Sequence, residues 1–263
     1  MAMATPDTLS AASTDGHRRV PMPLVYRYLG DKRFAYTLLR ALSLQILHPG
    51  NAASLVQHVH GGLYAHKSSA VSEMIYIAYS NRDLRSVMRT AHSHVKGVDS
   101  NGRRYHSLNP ELFFFQHATY LETLFTSIDL FHRPLSNDEK EQLYREACLW
   151  YAKYDISDRA QPKTYGEFTE YFEDFCRREL SVSPDVAHLR KETLHPKTWY
   201  PRKVSPAAVR AMLHPRAAEL LEIDVSVTDR AALAAFAAKT KMRAAMTPRT
   251  YQLIPAARHD PDR

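Results

Sequence analysis

The sequence predicts an all-α fold, a single multi-helix domain enclosing an apolar cofactor pocket. Three observations lead there. Apolar residues recur at three- and four-residue spacing through most of the chain. Helix start signals precede those runs, with Asn109-Pro110-Glu111, Ser136 with Glu139, and Thr164 with Glu167. Only eight glycines occur in 263 residues, against a usual ~7%, and no Gly-rich phosphate loop of the kind nucleotide-binding α/β folds use is present.

The elements follow in order. Residues 1–20, rich in Ala, Ser, Thr and Asp, are expected to be a disordered leader ahead of Pro21-Met22-Pro23. Phe34, Leu38, Leu39, Leu42 and Ile46 mark a helix that Pro49 and Gly50 stop. A short helix over 51–60 closes at Gly61-Gly62, and a third covers 66–79. Asn81 is expected to cap a fourth helix running to Lys96, where Gly97 ends it. The fifth runs from Pro110 through Phe131, with Pro in the tolerated first turn and an acid at the positive dipole end. Helices to about Asp155 and Leu180 follow the two capping signals, and others are expected over 184–194, 205–213 and 228–246. Alternation is brief, as at Val225 to Val227. The helical domain is bounded at 21–247, and 248–263 is expected to be a flexible tail.

Composition excludes several classes. Cys148 and Cys176 lie far apart and form no C-x-x-C pair, which argues against a disulfide framework or thiolate zinc site and fits a reducing cytoplasm. No run approaches the ~18 apolar residues of a membrane span. The net charge of +7 is scattered rather than gathered in a block, so nucleic acid is not an expected partner, while peripheral contact with an acidic membrane stays open. There is no G-x-S-x-G elbow, no H-E-x-x-H zinc helix and no paired Glu-x-x-His signature of a di-iron bundle.

What remains is a set of histidines on greasy helical faces. On a wheel, Leu84, Val87, Met88, Ala91 and Val95 form one apolar stripe with His92 and His94 near its two edges, and periodicity does not choose between them. Residues two apart diverge by about 200°, so at most one of the two faces a pocket. His117 shares a stripe with Phe113, Tyr120 and Leu124, where an imidazole needs a hydrogen bond or a metal. Any single histidine on such a face is more often a satisfied core residue than a ligand. Glu146, among Leu143, Ala147 and Trp150, pairs with a nearby cation or orients a buried base.

The order and spacing of several short motifs resemble the MpaB-type oxygenases, whose catalytic domain is shared with the rubber oxygenases called latex clearing proteins. The motifs run from about Arg40 to Leu180. They are Gln45-Ile46-Leu47-His48-Pro49, His92-x-x-Val95-x-Gly97, Tyr105 with Asn109-Pro110-Glu111-Leu112, His117-Ala118-Thr119, Pro134-Leu135-Ser136, Glu146, and the 162–172 segment containing Tyr171-Phe172. The resemblance implies a helical protein holding haem b, with the histidine of the His-x-x-Val-x-Gly motif as axial iron ligand. That selects His92 over His94. Lys96 stands where the family often has Arg, one turn beyond His92, within reach of a haem propionate. His48 and His117 complete the candidate cofactor-binding set. The family's Arg-x-x-x-Thr pattern on the preceding helix is absent. One alignment sets Tyr64 against the Arg and Ser68 against the Thr, leaving Lys67 where rubber oxygenases have a lysine able to approach the iron; another sets His66 against the Arg. His66, Lys67 and Ser68 are therefore the candidate catalytic groups.

The function implied is a haem-b-dependent oxygenase using O2 to cleave or oxygenate a small apolar substrate, such as a lipid, isoprenoid or secondary metabolite. Two other classes compete. A non-enzymatic haem carrier or sensor would bind the cofactor without consuming O2. A cofactor-free basic helical module would be colourless and bind its partner with steep salt dependence.

Overall fold

The first short helix, α1 (Leu24–Tyr28), is capped from a distance, because Val25 N donates to Glu146 Oε2 at 2.8 Å. Gln142 Nε2 occupies the other carboxylate oxygen at 2.9 Å. Glu146 thus pairs with a backbone amide and a neutral side chain, not with a cation or a buried base. The computed structural model describes residues 22–258, so the leader expected over 1–20 falls outside the described residues.

α2 (Lys32–Gln45) starts at Asp31, whose carboxylate accepts from Arg33 N, and it buries Phe34, Leu38, Leu39 and Leu42 at the spacing that predicted it. α3 (Pro49–His58) has Pro in its first turn, and His48 is its N-cap. α4 (Leu63–Tyr79) begins three residues earlier than expected. Gly62, at φ 102°, turns the chain into it, and Glu192 from a later helix accepts from Leu63 N at 2.8 Å.

The next segment departs most from expectation. α5 (Arg85–His92) is only eight residues long: Asp83, not Asn81, binds its first turn through Arg85 N, and it stops at His92 rather than Lys96. The chain then forms an antiparallel hairpin of β1 (Lys96–Val98) and β2 (Arg104–His106), with Gly97 opposite Tyr105. Asp99 Oδ1 accepts from Asn101 N and Arg103 N, and Gly102 at φ 79° completes the turn. Gly97 is a packing requirement rather than a helix stop. A Cβ there would lie 2.6 Å from Gln57 Oε1 and 2.9 Å from the Tyr105 hydroxyl.

α6 (Pro110–Phe131) is the central helix, capped by Asn109 and buried along most of its length. It packs against α2, where the Arg40 guanidinium straddles Glu122 at 2.6–3.0 Å. α7 (Asn137–Ala152) carries the full Ser136/Glu139 capping box. α8 (Tyr165–Glu179) carries half of one, since Glu167 binds Lys163 N rather than Thr164 N. α9 (Pro184–Leu194), α10 (Pro206–Met212), α11 (Pro215–Leu220), α12 (Val227–Ala245) and α13 (Arg249–Gln252) follow. Ser226 caps α12, so Val225 to Val227 is a helix entry and not a strand. Thirteen α-helices and one two-stranded sheet among the described residues make this a mainly all-α single domain.

The segment expected as a loose tail is docked through Arg258. Ile254 is buried and donates to Gly30 O at 2.9 Å, and Arg249 pairs with buried Asp31. Gly30 makes room: its Cβ would lie 2.3 Å from Ala257 Cβ. Apolar Ile254 and a partner for a buried carboxylate hold what composition alone reads as tail. Residues 259–263 lie outside the described part. No described helix is long and apolar enough to cross a membrane.

Candidate active site

α4, α5 and α6 enclose a cavity of about 230 Å3, closed at one side by Tyr154 beyond α7. Its interior wall is Lys67 and Met74 from α4, Met88 from α5, and Phe113, His117 and Tyr120 from α6. His66, Ser69, Glu73 and Ala91 are exposed and form its mouth.

His92 lines this cavity at the last position of α5 and is half-buried. Its Nδ1 lies 2.9 Å from Met88 O. A carbonyl only accepts, so Nδ1 carries the proton, and in the neutral ring Nε2 is the nitrogen with the free lone pair. Nε2 has no hydrogen-bond partner among the described residues. Burial first, and then the charges of His94 and Lys67, favour the neutral ring against the opposing pull of Met88 O and Glu73. His94, the other periodicity candidate, is exposed and outside the cavity wall, with its ring 6.2 Å from that of His58.

His117 is buried in the cavity's inner wall. It sits in an aromatic box with the rings of Trp150, Tyr151 and Tyr154 at 4.3, 5.1 and 5.8 Å. Neither ring nitrogen closes a hydrogen bond of ordinary geometry, although the backbone of Ala147 approaches closely enough to favour the protonated ring. Burial outweighs that and lowers its pKa to about 3.

Lys67 is buried, and its ammonium donates to Gln45 Oε1 at 2.7 Å. The Gln45 amide donates in turn to Thr119 Oγ1 at 2.7 Å, and Thr119 donates to Gln116 O. Three sequence motifs therefore meet in one buried relay across α2, α4 and α6. His66 stands one residue away at the mouth. Crowding by protein, then the charges of Lys67 and His92, push its imidazole toward the neutral form, tempered by its solvent-facing side.

The structure does not bring the other expected residues to this wall. Ser68 lies off it, with Ser69 lining the mouth instead, because the phase of α4 places 66, 70, 73 and 74 on the cavity face. Lys96 is exposed on β1, since α5 ends before the helical turn that would have carried it. His48 lines a separate cleft, capping α3 and stacking at 6.0 Å on Phe175. Tyr64, set against the family's Arg in one of the two alignments, is buried and donates its hydroxyl to Thr193 O at 2.8 Å. Gln45, Tyr154 and Gln116 were not identified from sequence as site residues. Gln45 carried a signal, because a polar residue within Leu42 to Leu47 on a core helix needs a buried partner.

Among the described residues no group of three or more His, Cys, Asp and Glu side chains converges to hold a metal ion. Comparison with curated proteins and with solved structures finds no match. Residues 26–242, which include every residue of the cavity wall, match the family described as "ER-bound oxygenase mpaB/B'/Rubber oxygenase, catalytic domain". The chain belongs to this oxygenase catalytic-domain family.

Proposed function

We propose that the protein is a haem-b-dependent oxygenase of the cytoplasm in which His92 would hold the haem iron and an apolar organic substrate, a lipid, isoprenoid or secondary metabolite, is cleaved or oxygenated with O2. The observation that carries this reading is the state of His92. Its Nδ1 proton is committed to Met88 O and its second nitrogen is unpartnered beside the cavity lined by Met74, Met88, Phe113 and Tyr120, the state a histidine needs if it is to hold a haem iron. Haem needs only one or two side-chain ligands, so the donor set suits it where a bare ion would want more. At about 230 Å3 the cavity is smaller than the ~300–1,000 Å3 usual for cofactor and ligand sites. α5 is the wall that can yield, because Met88 is its only buried residue.

When bound, haem would supply the activation of O2 that these reactions require. The chain's own groups do the rest. Phe113, Met74, Met88 and Tyr120 exclude water and hold an apolar molecule. The Gln45 carboxamide fixes the Lys67 ammonium at the inner wall as a stationary positive charge and proton donor. His66, kept toward its neutral form, can take up or release a proton at the mouth. Lys96 and His48 have no role in this arrangement.

The test is the absorption spectrum of protein supplied with haem. Wild type is expected to show a Soret band with about one haem per chain, and His92→Ala to lose most of it. Retention of the same band and iron content by His92→Ala removes His92 from this role. A second reading, a haem carrier without oxygenase activity, draws support from the missing Arg-x-x-x-Thr pattern: Tyr64, set against the Arg in one of the two alignments, turns its hydroxyl to Thr193 O. Oxygen consumption with a panel of apolar alkenes separates the two.

A further inference from the structure

A second cavity, of about 540 Å3, lies away from the site described above, between α2, the 3-10 turn at Pro201–Lys203, α12 and α13. Five cations line it: Lys32, Arg33, Lys203, Lys239 and Arg243. Asp31 holds Arg33, which leaves four, of which Lys32 donates to the carbonyl of Tyr251 at 2.6 Å. None of the four has a carboxylate partner among the salt bridges of the described residues. The one acid on the wall, Asp31, is already held by Arg33 and Arg249. Lys239 and Arg243 stand one turn apart on α12, a like-charge spacing that disfavours the helix unless something answers it. Lys32 feels the same crowding, since burial first, then Arg258 and Lys203, lower its pKa. Behind the charges the wall is aromatic. Tyr36 and Phe236 meet edge to face at 5.5 Å.

We propose that this cleft binds a phosphate ester whose organic part is flat or apolar. The phosphate oxyanions answer the uncompensated cations contributed by three separate elements, and the organic part packs on Tyr36 and Phe236. A soluble ester and the headgroup of an acidic phospholipid share this chemistry.

Titration calorimetry with adenosine diphosphate, inorganic pyrophosphate and adenosine, on the full chain, tests it. The double variant Lys239→Gln, Arg243→Gln is the control, because both side chains are exposed and its melting temperature reports folding directly. Adenosine diphosphate is expected to bind wild type more tightly than pyrophosphate does, adenosine not to bind, and the double variant to weaken adenosine diphosphate tenfold or more. Flotation with phosphatidylcholine vesicles containing phosphatidic acid distinguishes the source: capture of wild type but not of the variant, without binding of the nucleotide, identifies the lipid headgroup. Absence of both kinds of binding, or binding equal in wild type and folded variant, overturns the proposal. Pyrophosphate binding as tightly as the nucleotide overturns its aromatic half.

Discussion

The Lys67 ammonium and the Gln45 carboxamide are 2.7 Å apart in the interior, from helices that meet only in the folded state. Gln45→Leu leaves that charge buried without its acceptor and should cost about 1–3 kcal/mol or more. Lys67→Met alone removes the charge along with its need for a partner and should cost less. Urea denaturation of the two single variants and the double variant measures the coupling. Additive losses would mean that the contact contributes nothing.

Gly97 makes a sharper steric prediction. A methyl group there meets Gln57 Oε1 and the Tyr105 hydroxyl well inside contact distance, so Gly97→Ala should destabilise by about 1–3 kcal/mol. Gln57→Ala removes the nearer obstacle and should recover part of the loss in the double variant. Thermal melts of the three proteins decide it, and no recovery would place the strain at Tyr105 alone.

These two sites show what the sequence could reveal. Ser136, Thr164 and Asn109 were legible as helix starts because a cap is a contact with residues two or three positions on. His117 is legible because helical periodicity puts it among aromatic neighbours, whereas periodicity leaves His92 and His94 level and only the family resemblance selects His92. The end of α5 was not legible, since it depends on Tyr105 and Gln57 closing over Gly97 from the far side of a turn. Ser68 is singled out only by an alignment that sets it against the family's Thr, and the phase of α4 that puts Ser69 at the cavity instead follows from Gly62 and Glu192, 130 residues apart. The relay through Gln45 spans 22 and 74 residues, a distance no local pattern encodes.

Asp31 ties the two ends of the described chain together. Burial pushes its carboxyl up, but the hydrogen bonds and charge of Arg33, with Arg249, outweigh this and hold it below the usual carboxylate value. A depressed folded pKa contributes stability above the unfolded value of about 3.9, lost as pH falls through the folded value. Arg249→Ala removes one of the two cations and should cost about 1–3 kcal/mol at pH 7. Its acid unfolding should also begin at higher pH than that of wild type. Melting curves between pH 3 and 7 test both, and identical acid limbs would show that Arg33 alone sets the carboxyl.

His117 adds to the same acid limb, starting at higher pH. Its pKa is about 3 in the fold and about 6.5 unfolded, so between those values the unfolded chain takes up a proton that the folded ring refuses. Stability should therefore fall as pH drops below about 6.5, by ~1.4 kcal/mol per pH unit for each such proton. His117→Leu, close in volume, should change stability little at pH 7 and reduce the slope between pH 6 and 4 by about one proton. His66 and His132, whose pKa values are also lowered, would keep part of the slope. An unchanged slope would mean that His117 is protonated in the folded protein.

The shape of the cavity makes the last prediction depend on α5. Of its eight residues only Met88 is buried, whereas α2 and α6 bury most of theirs, so α5 should exchange its amide hydrogens faster than either of those two core helices. A haem held through His92 would tie the end of α5 to the cavity and slow that exchange, while α2 and α6, already buried, would change little. Hydrogen exchange with and without added haemin should show new protection over Arg85–His92 in wild type and none in His92→Ala. A Soret band that grows in wild type with α5 exchange unaltered would mean that the haem sits elsewhere on the protein, because a ligand bonded to the last residue of a loosely anchored helix cannot leave that helix as free as before.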